Sequence, residues 1–407
     1  MKKITKNIFN EKILDKNSII YLYGCTEIAE ATIQGLKVSG KLVTGVIDKN
    51  SDLKPKDLMG VPIFNPTILK SISKDSLFLI TCSYFNSVSK KLKDEGFYNI
   101  YDCALIIDHA IKANCFPKAD DKILAERMFF ALDEKINHFL ELNINKKLII
   151  TSIDVVVTER CSLNCTDCAN LMPYFERPIN AETDNLFFSL DKIMNLVESV
   201  NELRVIGGEP FMNKEVHKII EKCNSYLNAK KIIIYTNATI LPRPEQLLSL
   251  KNSKVFLEIT NYKSLSRKLP DMIELFSKEN INFFIKELPD SWDKSADIEK
   301  LNRTEEELNF VFKNCCSTYI TTLLHGYLYR CPFSASLDAL KIINFSDQDR
   351  LKITDDLTHE QIKFFINGNK PLDSCNYCRG RGYIFDRADP ALQMKGKRKA
   401  NFSSINI

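Results

Sequence analysis

The 407-residue sequence has no run of 18 uninterrupted apolar residues and almost no excess of charge of either sign. A transmembrane helix needs about 20 predominantly apolar residues, so we predict no membrane span. The 56 basic and 52 acidic residues leave a net charge of +4, which indicates neither nucleic acid nor a membrane surface as a partner. The N-terminal residues are polar and charged and lack the apolar core of a secretory signal. We therefore expect a cytoplasmic protein.

Thirteen cysteines are many for a chain expected in the cytoplasm. Disulfides are rare in that compartment, and clustered cysteines there more often bind metals or carry redox chemistry. Five cysteines stand apart from the others, and we interpret them as ordinary buried residues: Cys25, Cys82, Cys103, Cys115 and Cys223. The other eight fall into two groups, and these groups indicate the function.

Apolar runs alternate with helix-like patterns in two parts of the chain, which predicts an α/β fold class. In residues 18–112 the strand-like runs include SIIYLYG, KLVTGVID, SLFLITCS and the region of YNIYDCALII, as in a Rossmann-like parallel sheet. From residue 151 five further runs, TSIDVVVT, LRVIGG, KIIIYTN, KVFLEIT and INFFIKE, favour a partial (β/α)6 TIM barrel. The predicted segments are a Rossmann-like domain (1–115), a helical linker (116–148), a catalytic core (149–304), a small cysteine-rich domain (305–390) and a solvated basic tail (391–407).

The first cysteine group follows the first strand-like run of the core. Cys161, Cys165 and Cys168 occur within eight residues on a predicted loop. Thiolates at this spacing can bind one face of an iron–sulfur cubane, and three ligands leave one iron open to a small molecule. A zinc site is the alternative, but zinc usually takes four protein ligands, and no histidine or cysteine follows within 40 residues.

The C-x3-C-x2-C spacing at the end of a first strand resembles that of the radical S-adenosylmethionine (radical SAM) superfamily. The resemblance implies that the open iron is chelated by S-adenosylmethionine. It also assigns contacts to the cofactor to six residues at the ends of the second and third strands: Gly207, Gly208, Glu209, Pro210, Thr236 and Asn237. The residue before the third cysteine is usually bulky in this family but is Asp167 here. We therefore expect the adenine contact from elsewhere, with Tyr174 and Phe175 as candidates.

The second cysteine group lies near the C-terminus. Cys316, Gly326 and Cys331 have the spacing C-x9-G-x4-C, and Cys375 and Cys378 follow as a C-x2-C pair. This pattern resembles the twitch domain, a shortened SPASM domain, which implies one auxiliary [4Fe–4S] cluster. Cys315 and Cys316 compete for the first ligand position, and a structural zinc is the alternative.

The N-terminal segment YLYGCTEIAEATIQGLKVSG fits a dinucleotide-binding fingerprint poorly, because only Gly24 is in place. The run GVIDKNSDLKPKDLMGVPIFNP resembles the Rossmann-like domain of bacterial sugar-nucleotide acetyltransferases. That resemblance implies contacts from Gly24 and Asp48 to a nucleotide-sugar. A role in docking or dimerisation alone is the alternative.

These resemblances together predict an enzyme that reductively cleaves S-adenosylmethionine and abstracts hydrogen from a sugar or nucleotide-sugar, with dehydrogenation or epimerisation as the outcome, in surface-polysaccharide or related biosynthesis. A flavodoxin or ferredoxin is the expected electron donor. A radical SAM peptide maturase and a non-catalytic metal-binding scaffold are the alternatives. No general acid or base can be assigned from the sequence, and Lys286 and Trp292 are candidate cavity residues.

Overall fold

The computed structural model describes residues 2–82, 85–116, 125, 129, 132, 148–313, 315, 317, 320–380 and 387–398. The chain divides into two compact units, Met1–Asn145 and Lys146–Ile407, and each has its own hydrophobic core. The helix expected over 118–144 lies almost wholly outside the described residues. Within the described ranges, no helix has the length and hydropathy needed to cross a membrane.

The first unit is built on a six-stranded sheet. Its strands are β1 (Ile20–Tyr23), β2 (Gly45–Ile47), β3 (Asp57–Leu58), β4 (Val61–Phe64), β5 (Leu77–Ile80) and β6 (Ile100–Tyr101). Its helices are α1 (Lys6–Ile8), which continues as a π-turn at Phe9–Ile13, α2 (Glu27–Val38), α3 (Phe85–Asp94) and α4 (Ala104–Lys112). The strand order is β3-β4-β2-β1-β5-β6, and every pair is parallel except β3 with β4.

This order is the doubly wound arrangement, in which the chain reverses direction across the sheet beside β1. The run around YNIYDCALII departs from the prediction, since only two of its residues form a strand and α4 begins at Ala104. The carboxylate of Asp102 accepts the N–H of Ala104 at 2.9 Å, and such a bond at the first turn favours a helix start. The isolated cysteines Cys25, Cys82 and Cys103 are buried.

Ten strands lie within the described residues of the second unit. They are β7 (Ile149–Thr158), β8 (Ser199–Gly207), β9 (Ala229–Thr236), β10 (Val255–Asn261), β11 (Phe283–Glu287), β12 (Trp292–Asp293), β13 (Ile320–Leu324), β14 (Tyr327–Tyr329), β15 (Arg350–Lys352) and β16 (Arg387–Ala388). The helices are α5 (Thr183–Leu196), α6 (Val216–Ser225), α7 (Pro244–Ser249), α8 (Leu269–Lys278), α9 (Glu305–Lys313), α10 (Pro332–Ala339) and α11 (His359–Ile366).

Strands β7 to β11 neighbour one another in chain order and are all parallel, as a β/α barrel requires. These strands coincide with the five runs predicted for the core, and the α/β fold class is confirmed. The sixth parallel strand is β13, which pairs with β7 and so lies at the opposite side of the sheet from β11. Strands β14 and β15 extend that side in antiparallel fashion. The order of the sheet thus differs from that of a simple six-stranded partial barrel.

Candidate active site

A cavity of about 370 Å³ lies at the carboxyl ends of β7 to β10. The loop after β7 contributes all three clustered cysteines to its wall, and the ends of β8 and β9 contribute Gly207, Gly208, Thr236 and Asn237. Ligand sites of parallel α/β folds form at this edge, where the loops after successive strands converge. The structure therefore brings the first cysteine group and most of the expected cofactor contacts into one cavity.

Burial disfavours the free thiolate forms of Cys161 and Cys165, and a positively charged metal cluster would favour them. Burial raises the pKa of Cys161 to about 12 and that of Cys165 to about 11. The neighbouring thiol of Cys168 raises both values further. Bound iron reverses this balance, because a coordinated thiol is deprotonated by the metal charge. Among the described residues, no three Cys, His, Asp or Glu side chains are close enough to hold a single metal ion.

The Gly207–Gly208 turn packs directly against the cysteine loop. A Cβ atom on Gly208 would lie 2.2 Å from the carbonyl oxygen of Arg160 and 2.7 Å from Cβ of Cys161. The backbone N–H of Gly208 donates to the carbonyl of Thr158 at 3.0 Å. Only glycine lets the backbone of the turn come this close to the backbone of the cysteine loop. The turn therefore determines the position of that loop.

Glu209 and Pro210 are buried and do not line the cavity. The Glu209 side chain is fully buried and accepts hydrogen bonds from the hydroxyl of Thr236 at 2.9 Å and the N–H of Asn237 at 2.8 Å. Burial raises the pKa of Glu209 to about 7, although these donors oppose the increase. Glu209 thus positions the end of β9, and the amide of Asn237 in turn approaches Sγ of Cys161 at 3.8 Å.

Neither aromatic candidate for the adenine contact lines the cavity. Tyr174 and Phe175 are buried elsewhere, and the Tyr174 hydroxyl donates to the carbonyl of Ala296 at 2.8 Å. Tyr262 and Trp292 line the cavity, and their rings meet edge to face with centroids 6.1 Å apart. Tyr262 was missed from the sequence, although it directly follows β10 at the same edge as the other site residues.

Asp167 and Lys286 differ in their position relative to the cavity. Asp167 lines the cavity, and one of its carboxylate oxygens is buried without a hydrogen-bond partner among the described residues. An unpaired buried acceptor of this kind is costly unless a ligand supplies a donor. Lys286 is not part of the cavity wall, and its amine lies 3.4 Å from the carboxylate of Glu258.

The second cysteine group is brought together in part. Burial raises the pKa of Cys375 to about 12, and the nearby thiols of Cys331 and Cys378 add to this effect. Backbone N–H groups donate to sulfur at 3.4 Å in Cys375, 3.3 Å in Cys378 and 3.3 Å in Cys315. Such N–H···S bonds stabilise thiolate ligands of iron–sulfur clusters. Cys316 lies outside the described residues, so the choice between it and Cys315 remains a prediction.

In the first unit, Gly24 and Asp48 lie at the carboxyl ends of β1 and β2, where doubly wound sheets bind ligands. Gly24 has a φ of +111°, and a Cβ there would lie 2.6 Å from Cβ of Cys82. Asp48 accepts the N–H of Cys25 at 2.7 Å and that of Asn50 at 2.8 Å. Both carboxylate oxygens of Asp48 therefore accept hydrogen bonds from neighbouring backbone N–H groups.

Residues 152–263 match the protein family described as a 4Fe-4S single cluster domain. This segment contains the three-cysteine loop, the Gly-Gly-Glu-Pro turn and the end of β9. The features that resemble the radical SAM superfamily thus lie within the matched segment. The three thiols around the cavity fit the [4Fe–4S] cluster of the matched family.

Characterised relatives resemble only part of the chain. The GTP 3',8-cyclase of Clostridium acetobutylicum is 29% identical over 144 residues, which cover 32% of this chain and 45% of the relative. That of Clostridium botulinum strain Hall is 35% identical over 97 residues, covering 23% and 29%. Molybdenum cofactor biosynthesis protein 1 of Dictyostelium discoideum is 33% identical over 98 residues, covering 23% and 15%. The matches thus span less than half of each relative.

Part of this chain is similar to the solved structure of BtrN in complex with AdoMet and 2-DOIA, at a TM-score of 0.40 and 13% identity. That alignment covers 61% of this chain and 97% of BtrN. Native anSMEcpe with bound AdoMet aligns at a TM-score of 0.36 and 14% identity, covering 56% and 88% of the two chains.

Proposed function

We propose that this radical SAM protein abstracts hydrogen from a carbohydrate or nucleotide-sugar, with dehydrogenation or epimerisation as the outcome. When bound, the reduced [4Fe–4S] cluster and S-adenosylmethionine supply a 5′-deoxyadenosyl radical for this step. The observation that carries the proposal is the single cavity in which the three thiols, the glycine turn and an aromatic wall meet. We place the enzyme in the cytoplasm, where clustered thiols stay reduced.

Different residues of the site have different roles in binding the cofactors. Cys161, Cys165 and Cys168 hold the cluster, and Gly207 and Gly208 leave room for the cofactor to approach the backbone. Thr236 and Asn237, held by buried Glu209, supply polar contacts. This arrangement fixes the reacting groups before substrate enters, which is the main contribution of a protein to cofactor chemistry.

Further lining residues of the cavity support a hydroxyl-rich substrate. Trp292 and Tyr262 contribute apolar surface, whereas Thr260, Asp293 and Ser295 contribute hydroxyl and carboxylate groups. An aromatic face with a few polar groups is a typical arrangement for binding and orienting a small ligand. The doubly wound sheet of the first unit, with Gly24 and Asp48 at its ligand-binding edge, supports a nucleotide-sugar.

The cofactor part of the proposal is tested by anaerobic purification. We expect about eight irons per chain, corresponding to two [4Fe–4S] clusters, and formation of 5′-deoxyadenosine under reducing conditions. Cys165→Ala should abolish that product. Zinc in place of iron would refute the proposal and support a metal-binding scaffold.

The substrate part is tested by incubating the reduced enzyme with nucleotide-sugars, free sugars and peptides that carry deuterium on carbon. A substrate should accelerate 5′-deoxyadenosine formation and transfer deuterium into it. Trp292→Ala should lower the rate with substrate by roughly tenfold or more while leaving the slow substrate-free cleavage nearly unchanged. Deuterium transfer from peptides alone would exclude the sugar assignment and support a peptide maturase.

A further inference from the structure

Residues 391–398, here named the C-terminal strap, lie along the loop that carries the three cysteines. The N–H of Thr166 donates to the carbonyl of Leu392 at 2.8 Å, and the N–H of Met394 donates to the carbonyl of Asn164 at 2.9 Å. These bonds form an antiparallel bridge between Cys165 and Gln393. The strap thus differs from the solvated tail expected for this segment, and residues 399–407 lie outside the described part of the chain.

Side chains hold the strap at both ends. The Asn164 amide donates to the carbonyls of Met394 and Gly396 at 2.9 and 2.7 Å. At the far end, the Arg398 guanidinium donates to the carbonyl of Thr166 at 2.9 Å and pairs with Asp297. Ala391 is buried at the start of the strap. The loop and the strap are therefore one hydrogen-bonded unit, although more than 220 residues separate them in sequence.

Within this unit, the Gln393 amide is directed at a cysteine ligand. Its Oε1 accepts the N–H of Asn164 at 2.7 Å, which fixes the orientation of the amide group. Its Nε2 then donates to the carbonyl of Ala391 at 2.8 Å and to Sγ of Cys165 at 3.1 Å. An amide nitrogen has two protons, and these two acceptors use both.

We propose that Gln393 is a positioning residue that tunes the catalytic cluster. Its donated hydrogen bond to the Cys165 thiolate favours the reduced cluster, and the strap limits access of water to that ligand. Reduction adds negative charge to the cluster and its thiolates, so a donor stabilises the reduced form more than the oxidised form. The inference rests on the catalytic cluster and is independent of the proposed sugar substrate.

The test is the midpoint potential of the catalytic cluster in three variants. Gln393→Met removes the donor, and Gln393→Glu removes it while keeping an acceptor for the N–H of Asn164. Lys397→Met is the control, since Lys397 is an exposed residue of the same strap. The electron paramagnetic resonance signal that changes when S-adenosylmethionine is added identifies the catalytic cluster and separates it from the auxiliary one.

We expect both Gln393 variants to decrease the equilibrium constant for reduction about three- to tenfold. For a one-electron couple this corresponds to a potential about 30 to 60 mV more negative. We expect the lower part of the range for Gln393→Met, because Gln393 is solvent-exposed. Lys397→Met should keep the wild-type potential.

A second measurement detects the hydrogen bond itself rather than its effect on the potential. After exchange into deuterium oxide, electron–nuclear double resonance of the wild-type reduced cluster should show an exchangeable deuteron that is lost in Gln393→Met. Unchanged potentials in both Gln393 variants, or an unchanged deuteron signal, would overturn the inference. A wild-type chain that binds no iron would instead refute the proposed function.

Discussion

Replacing Gly208 by alanine should displace the loop that carries Cys161, Cys165 and Cys168. The added Cβ would lie 2.2 Å from the carbonyl oxygen of Arg160, whereas ordinary contacts begin near 3.4 Å, so the loop must move by about 1.2 Å. The obstacle is backbone, which cannot rotate away as a side chain can. The move also strains the bond from the N–H of Glu209 to the same carbonyl, which is 2.8 Å long. We estimate a loss of about 2 to 4 kcal/mol in the free energy of unfolding, from overpacking and one weakened hydrogen bond.

The assay compares thermal stability, iron content and 5′-deoxyadenosine formation in Gly208→Ala and Gly35→Ala. Gly35 lies in α2 of the first unit, where a Cβ would come 2.3 Å from the carbonyl oxygen of Ile106. Both variants should lose stability, but only Gly208→Ala should lose cleavage of S-adenosylmethionine, by at least tenfold, since displacements near 1 Å are costly to catalysis. Equal losses of cleavage in both variants, or none in Gly208→Ala, would refute the assigned role of the turn.

Two further predictions concern the second cysteine group and Asp154, a buried residue of β7 whose carboxylate lies 3.0 Å from the guanidinium of Arg204. Cys375→Ala should reduce the iron content from about eight to about four per chain while the signal that responds to S-adenosylmethionine persists; loss of that signal would argue against two separate clusters. Burial raises the pKa of Asp154 to about 6, although Arg204 opposes the increase, so the protonated form stabilises the fold below about pH 4 and this contribution is lost as pH rises through 6. Urea unfolding should therefore show the wild type losing up to about 3 kcal/mol relative to Asp154→Asn between pH 4 and 7, and parallel curves for the two proteins would contradict the buried assignment.

The strands of the core could be predicted because burial on both faces leaves a strong local signal. Nearly every residue of β7 is buried, as expected for a central strand of a parallel sheet, and its sequence is correspondingly apolar. The pairing of β13 with β7, which places Ile320 opposite Ser152, could not be predicted from a local pattern of this kind. The apolar pattern of β13 would suit a position beside β11 equally well.

Most of the residues that the resemblance assigned to the cofactor lie at one cavity for a related reason. They occur directly after strands, and parallel strands bring their carboxyl ends to one edge. Tyr262 occupies the same kind of position after β10, so its place at the cavity could have been expected from its position in the sequence. Glu209 stands in the recognised turn, but its burial and its hydrogen bond with Thr236 are revealed only by the fold.

The contacts of the strap were beyond prediction because they depend on few side-chain identities. Backbone groups of Thr166, Leu392 and Met394 form the bridge to the cysteine loop, and almost any sequence could supply them. The exceptions are Asn164 and Gln393, whose amides have the donors and acceptors that the bridge leaves unpaired. A loop without a helix or strand of its own must obtain its geometry from such partners, since buried backbone groups need hydrogen bonds. The position of Cys165 therefore depends as much on a segment more than 220 residues away as on the motif that contains it.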